Sequence, residues 1–160
     1  MAGRATAKPG DILSIPLADG WFGYCKVLCG VEIGFYDFRS ATEISTEDLS
    51  GIDFLFRIWV MKYALKKSST WKVIGNVLLT GEEARPSRFC KKDALSGALS
   101  IYQSAPAGGT AYTETPATFA ECKDLECAAV WDPEHVESRL EDHFAGRPNK
   151  WVESMRLKES

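Results

Sequence analysis

The chain has 160 residues, of which 45% are hydrophobic and 26% charged, and a net charge of −3 at pH 7. That balance excludes a disordered or collagen-like polypeptide, and the length suits a single domain over residues 1–160 with one real core, preceded by a flexible stretch at residues 1–9. The charge is uneven: residues 57–92 hold nine basic and two acidic side chains, whereas residues 1–56 carry −4 and residues 93–160 carry −6, an asymmetry able to steer partners where it becomes a surface patch.

The first predicted element is "DILSIPL", in which Leu13, Ile15 and Leu17 alternate with Ser14 and Pro16. Period two means strand, and Pro16, lacking an amide donor, points to a sheet edge or strand end. Asp19-Gly20 is a turn dipeptide, after which "WFGYCKVLC" sets Trp21, Gly23, Cys25, Val27 and Cys29 on one face. With "VEIGFYDF" following Gly30, the segment predicts a three-stranded meander. Residues 40–52 are polar and turn-rich, a loop with one helical turn after a Thr46 cap.

In "DFLFRIWVM" the alternation puts Phe54, Phe56, Ile58 and Val60 on one face of a long strand, and Leu55, Arg57 and Trp59 on the other. "KYALKKSS" suits a short helical turn, and "TWKVIGNVLLTG" predicts a strand with Trp71, Val73, Gly75, Val77 and Leu79 on one side. Short strands are expected near 87–90 and 98–103, then a flexible segment at "APAGGTAYTETPAT". The clearest helix runs over 133–144, with Asp132 as cap, Pro133 in the first turn, a stripe of Val136, Leu140 and Phe144, and Gly146 and Pro148 as stops.

Chemistry is sparse. His135 and His143 sit on that helix about 80° and about 12 Å apart, too far to share a metal. Cys25 and Cys29 are separated along a strand, and Cys122 and Cys127 meet no second ligand pair, so the five cysteines are expected as free, mostly buried thiols. There is no nucleophile elbow and no phosphate loop. Neither a cofactor nor a catalytic residue nor a metal site is expected, and the chain is not expected to be an enzyme. No apolar run reaches the about 18 residues of a membrane span, and "MAGRATAKPG" lacks an export signal, which predicts a cytoplasmic protein without membrane contact.

"GDILSIPLADGWFGYCKVL" resembles the opening of the immunity protein 26 family of bacterial polymorphic toxin systems, and "WKVIGNVLL" resembles a second landmark of that family, so that together the likeness spans residues 10 to 80. "WDPEHVESRLEDHFAGRPNKWVES" is similar to a tail found on some members. The resemblance implies a mostly β protein made beside a toxin and binding it, with no catalysis of its own. The expected fold is therefore mostly β (α+β): a curved antiparallel sheet or small barrel with one C-terminal helix packed on it.

The expected function is neutralisation of a cognate toxin by steric and electrostatic blocking. Because toxin domains that attack nucleic acids are basic, the expected partner-binding residues are Glu43, Glu47, Asp48 and Asp53 in the loop and Glu134, Glu137, Glu141 and Asp142 along the helix. The rival is a small-barrel nucleic-acid-binding module or a relative of the toxin ribonucleases that open on a similar hairpin. Its best support is the basic span with Trp59, Tyr63 and Trp71, and the net acidity speaks against nucleic acid as a partner.

Overall fold

A computed structural model describes residues 6–105 and 110–158. Its main element is a six-stranded sheet of order β5-β1-β2-β3-β4-β9, built from β1 (Asp11–Pro16), β2 (Phe22–Val27), β3 (Glu32–Ser40), β4 (Phe54–Val60), β5 (Lys72–Asn76) and β9 (Val130–Trp131). All neighbours pair antiparallel except β4 and β9. A second sheet is formed by β6 (Phe89–Lys92), β7 (Leu99–Ser104) and β8 (Tyr112–Pro116), followed by the single turn α2 (Phe119–Cys122). The mostly β expectation with a packed C-terminal helix is met. Of the two forms expected, the curved sheet is the one found, and no closed barrel forms among the described residues.

Pleating splits the apolar residues into two cores. On one face Leu13, Ile15, Cys25, Val27, Ile33, Phe35, Phe56, Ile58 and Val60 pack beneath α3 (Pro133–Ala145) through Val136 and Leu140. On the other, Ile12, Tyr24, Tyr36 and Leu49 gather with Phe54 and Ile74 under the loop that contains the 3-10 turn Thr46–Leu49. Strands β1 and β2 are therefore buried on both sides. The helix has the predicted Asp132 cap, whose carboxylate accepts the Glu134 amide at 2.9 Å. The turn in the loop is preceded by Ser45, one residue before the predicted Thr46 cap.

Two register shifts alter the predicted faces. Phe35 pairs with Phe56 but Tyr36 pairs with Phe54, so Leu55 has no partner and Phe54 turns away from Phe56 to meet Tyr36 at 4.8 Å between ring centroids. Likewise Ile12 faces Gly75 and Leu13 faces Val73, so Ile74 is extra and Gly75 lies on the face opposite Trp71. Gly75 is needed there because a Cβ would stand 2.6 Å from Thr46 Cγ2, and Gly34 because a Cβ would meet the Phe54 ring at 2.7 Å.

The "APAGGTAYTETPAT" segment expected to be flexible contains β8, while its residues 106–109 lie outside the described residues. Of the stretch 1–9, residues 1–5 also lie outside them. Thr6 pairs with Lys66, and the Ala7 amide donates to the Leu65 carbonyl at 2.8 Å.

Candidate functional site

Three charged side chains occupy the second face of the large sheet where the apolar set stops. Lys26 stands beside Gly34, which stands beside Arg57, and Glu32 lies two residues further along β3 on the same face. Lys26 and Glu32 are 3% and 2% exposed. Burying such charges is costly unless each is paired and hydrogen-bonded. Both are: the Arg57 Nε donates to Glu32 Oε2 at 2.6 Å, the Ser87 amide donates to Glu32 Oε1 at 3.0 Å, and the Lys26 Nζ donates to Glu83 Oε1 at 2.8 Å and to the Leu78 carbonyl at 3.3 Å. The remaining Arg57 nitrogens donate to the carbonyls of Glu82, Glu83 and Arg85.

The partners all come from one segment, residues 78–87, which includes the single turn α1 (Gly81–Ala84) capped by Thr80. The network is an ionic clasp that fastens this segment across the sheet. Burial opposes the charge on Glu83, but the Lys26 ammonium and the Thr80 amide outweigh it and hold the carboxyl below its usual range. No buried side-chain nitrogen or oxygen among the described residues lacks a hydrogen-bond partner. The sequence signal for the clasp is a charge set among the apolar residues of each of three neighbouring strands, Lys26, Glu32 and Arg57.

Beside the clasp the two sheets meet at Trp59. Its ring lies 4.4 Å from Phe89 and 5.3 Å from Tyr102, and Tyr102 stacks on the exposed Tyr112 at 4.7 Å and 22°. A hollow of about 460 Å3 opens at this seam, lined by Cys29, Glu32, Trp59, Lys62, Pro86 and Tyr102 among others. Trp71, the other tryptophan of the basic span, is 2% exposed and stacks edge-on against Phe35, so it offers no surface for a base.

The acidic residues singled out in the sequence fall into two groups on opposite faces of the large sheet. In the loop, Glu47 and Asp53 are exposed, Glu43 accepts the Ser14 hydroxyl at 3.0 Å, and Asp48 accepts the Ser45 amide at 3.2 Å. On α3, Glu134 is exposed, but the other three carboxylates bond within the chain. Glu137 accepts the Trp71 indole N–H at 2.8 Å, Glu141 the Ala18 amide at 3.2 Å, and Asp142 the Asn149 amide and the Arg147 guanidinium at 2.9 and 3.1 Å. Burial, with Glu141 and Glu134 nearby, raises the Glu137 pKa despite the indole. The two groups approach at the start of β4, where the Asp37 amide donates to the Asp53 carbonyl at 2.9 Å and the Asp37 carboxylate meets His143 at 3.2 Å.

His135 stacks on Trp151 at 3.6 Å, well away from His143 and its Asp37 partner. All five cysteines are free, and Cys25, Cys90 and Cys122 are buried. Burial, together with Cys122 and Cys127 alongside, pushes the Cys90 thiol up to about 12. Among the described residues no group of three or more His, Cys, Asp or Glu is placed to hold a metal ion, and no helix is long and apolar enough to cross a membrane.

Comparison with known families assigns this scaffold: the model of immunity protein 26 matches residues 8–99. The chain belongs to the immunity protein 26 family. No curated protein and no solved structure matches the chain. The family match takes in β1 to β6, the clasp and the acidic loop, and it ends at the first residue of β7. Residues 100–160, with most of β7, all of β8, β9 and α3, lie beyond the part that the immunity protein 26 model describes, as does the tail likened above to that of some members.

Proposed function

We propose that the protein neutralises a cognate bacterial toxin in the cytoplasm by binding it and blocking its working surface. The family match over residues 8–99 carries this reading, since an immunity protein has a toxin as its partner. Association is steric and electrostatic and needs no catalysis or cofactor. The acidic loop residues Glu43, Glu47, Asp48 and Asp53 form the electrostatic part, facing a basic toxin surface. The helix residues Glu134, Glu137, Glu141 and Asp142 are the second candidate group. Because Glu137, Glu141 and Asp142 are half-buried and bond within the chain, while all four loop carboxylates are exposed, we place the greater share on the loop.

The test is co-expression with the product of the adjacent toxin gene, followed by purification of the complex. Protection of growth and a stoichiometric complex are expected. Reversing Glu47 and Asp53 to lysine should slow association several-fold and weaken its salt dependence, as rim charges do. A chain that neither protects nor co-purifies would overturn the reading.

A further inference from the structure

The three-stranded sheet has one edge covered and one open. On the β6 side, the Cys90 amide donates to the Glu126 carbonyl and the Ala128 amide donates to the Cys90 carbonyl, both at 2.8 Å. On the β8 side no backbone partner is present among the described residues. Register fixes which groups are open. Ala117 and Ala111 bond to Leu99 and Ala105, and with the pairs Ile101–Thr115 and Gln103–Thr113 between them, the odd-numbered residues of β8 face β7. The N–H and C=O of Tyr112 and Glu114, and the C=O of Pro116, therefore point outward.

That edge carries a ready anchor. Tyr112 is 55% exposed, yet its ring is held by the stack on Tyr102, which in turn rests on Trp59. An aromatic side chain fixed before binding loses little entropy on binding, the property of interface hot spots. Glu114 lies beside it, bonded to Lys91 at 3.1 Å and to the Ser100 hydroxyl at 3.1 Å.

We propose that an extended segment of the cognate toxin pairs with the outer edge of β8 as a fourth strand of this sheet, laying an apolar side chain on Tyr112 and a basic one beside Glu114. The proposal rests on the toxin-binding reading above and locates its specificity. Two observations favour this occupant. Trp59 is on the same face of the large sheet as the acidic loop, with β4 four places from the β5 strand that the loop touches. Four strand spacings are about 19 Å, within the span of one partner covering about 800 Å2, so a single basic partner reaches both. A second copy fits poorly, because the antiparallel register that pairs the whole strand with itself sets two Glu114 carboxylates opposite each other.

The experiment compares the wild-type protein with Glu114→Pro, Glu114→Gln and Tyr112→Ala, titrated with the purified product of the adjacent toxin gene by calorimetry. Folding of each variant is checked by circular dichroism. Glu114→Pro removes an outward amide while sparing the β7 ladder, and should weaken binding about tenfold or more. Glu114→Gln keeps the amide and should cost less than about threefold, whereas Tyr112→Ala should cost about tenfold. Independently of folding defects, hydrogen exchange of the wild-type Tyr112 and Glu114 amides should be fast in the free protein and slowed in the complex.

Unchanged affinity of Glu114→Pro and Tyr112→Ala, or amides that stay unprotected in a formed complex, would refute the β8 site and leave the immunity reading intact. Failure of the wild-type protein to bind the toxin would remove both. A wild-type dimer that Glu114→Pro converts to monomer with unchanged toxin affinity would assign the edge to a second copy and overturn the proposal.

Discussion

Replacing Arg57 by methionine tests the clasp. The substitution keeps most of the aliphatic volume and removes the positive charge from a Glu32 side chain that is 2% exposed, against 21% for Arg57 itself. Breaking a buried ion pair from one side costs about 3–5 kcal/mol, because the remaining charge stays desolvated. Here the Ser87 amide and hydroxyl still serve Glu32, and the freed carbonyls of Glu82 and Arg85 are near water, so the lower end applies, about 3 kcal/mol. With a urea slope of about 2 kcal/mol/M, the unfolding midpoint should fall by about 1.5 M. Adding Glu32→Gln removes the orphaned charge while retaining an acceptor for Ser87, and should recover about half of that loss. A cost below about 1 kcal/mol for Arg57→Met, or strict additivity of the two substitutions, would show that the pair is not coupled and that the clasp argument is wrong.

Glu137→Gln keeps an acceptor for the Trp71 indole and removes a carboxylate whose folded pKa is raised. A raised carboxyl pKa destabilises the fold in full above the folded value, and the penalty fades as pH falls through that value and is gone below the unfolded one. The variant should therefore melt higher than wild type at pH 7 and equally at pH 4, read by thermal scans at both values. Gly75→Ala should cost about 1–3 kcal/mol by overpacking, and because the clash is with Thr46 Cγ2, Thr46→Ser should restore most of it in denaturant titrations of the double variant. Thiol labelling of the native protein should reach Cys29 and Cys127 and spare Cys25, Cys90 and Cys122 until denaturant is added, read by mass spectrometry.

The elements with a local physical cause were legible in the sequence. The Asp19-Gly20 hairpin, the Asp132-Pro133 helix start and the alternating strands through Val60 follow from turn chemistry, capping and period two, and stand where those signals put them, whereas the strand expected over "TWKVIGNVLLTG" is confined to Lys72–Asn76. The errors begin where one residue is inserted into a ladder. A bulge at Leu55 or Ile74 reverses the faces on either side of it and leaves no mark in a single sequence, because the extra residue is itself apolar. β8 was hidden for a different reason: all five of its residues are exposed, so "YTETP" has no buried face to produce alternation. The charges of the clasp were visible as exceptions within apolar strands, but their meaning depends on residues 78–87 returning across the sheet, a contact up to 57 residues distant in sequence. Of the acidic residues, composition showed that they were plentiful, and only their contacts distinguish Glu43, Asp48, Glu137, Glu141 and Asp142, which bond within the chain, from the exposed Glu47, Asp53 and Glu134.

The parallel pairing of β9 with β4 has a consequence during synthesis. Trp131 is the partner of Val60, and 71 residues separate them. At 5–20 residues per second this is an interval of about 4–14 s in which the hydrogen-bonding edge of β4, with Ile58 and Val60 beside it, has emerged without its partner strand. Completion of the large sheet thus waits until synthesis has passed Trp131, and the nascent scaffold must avoid edge-to-edge association until then.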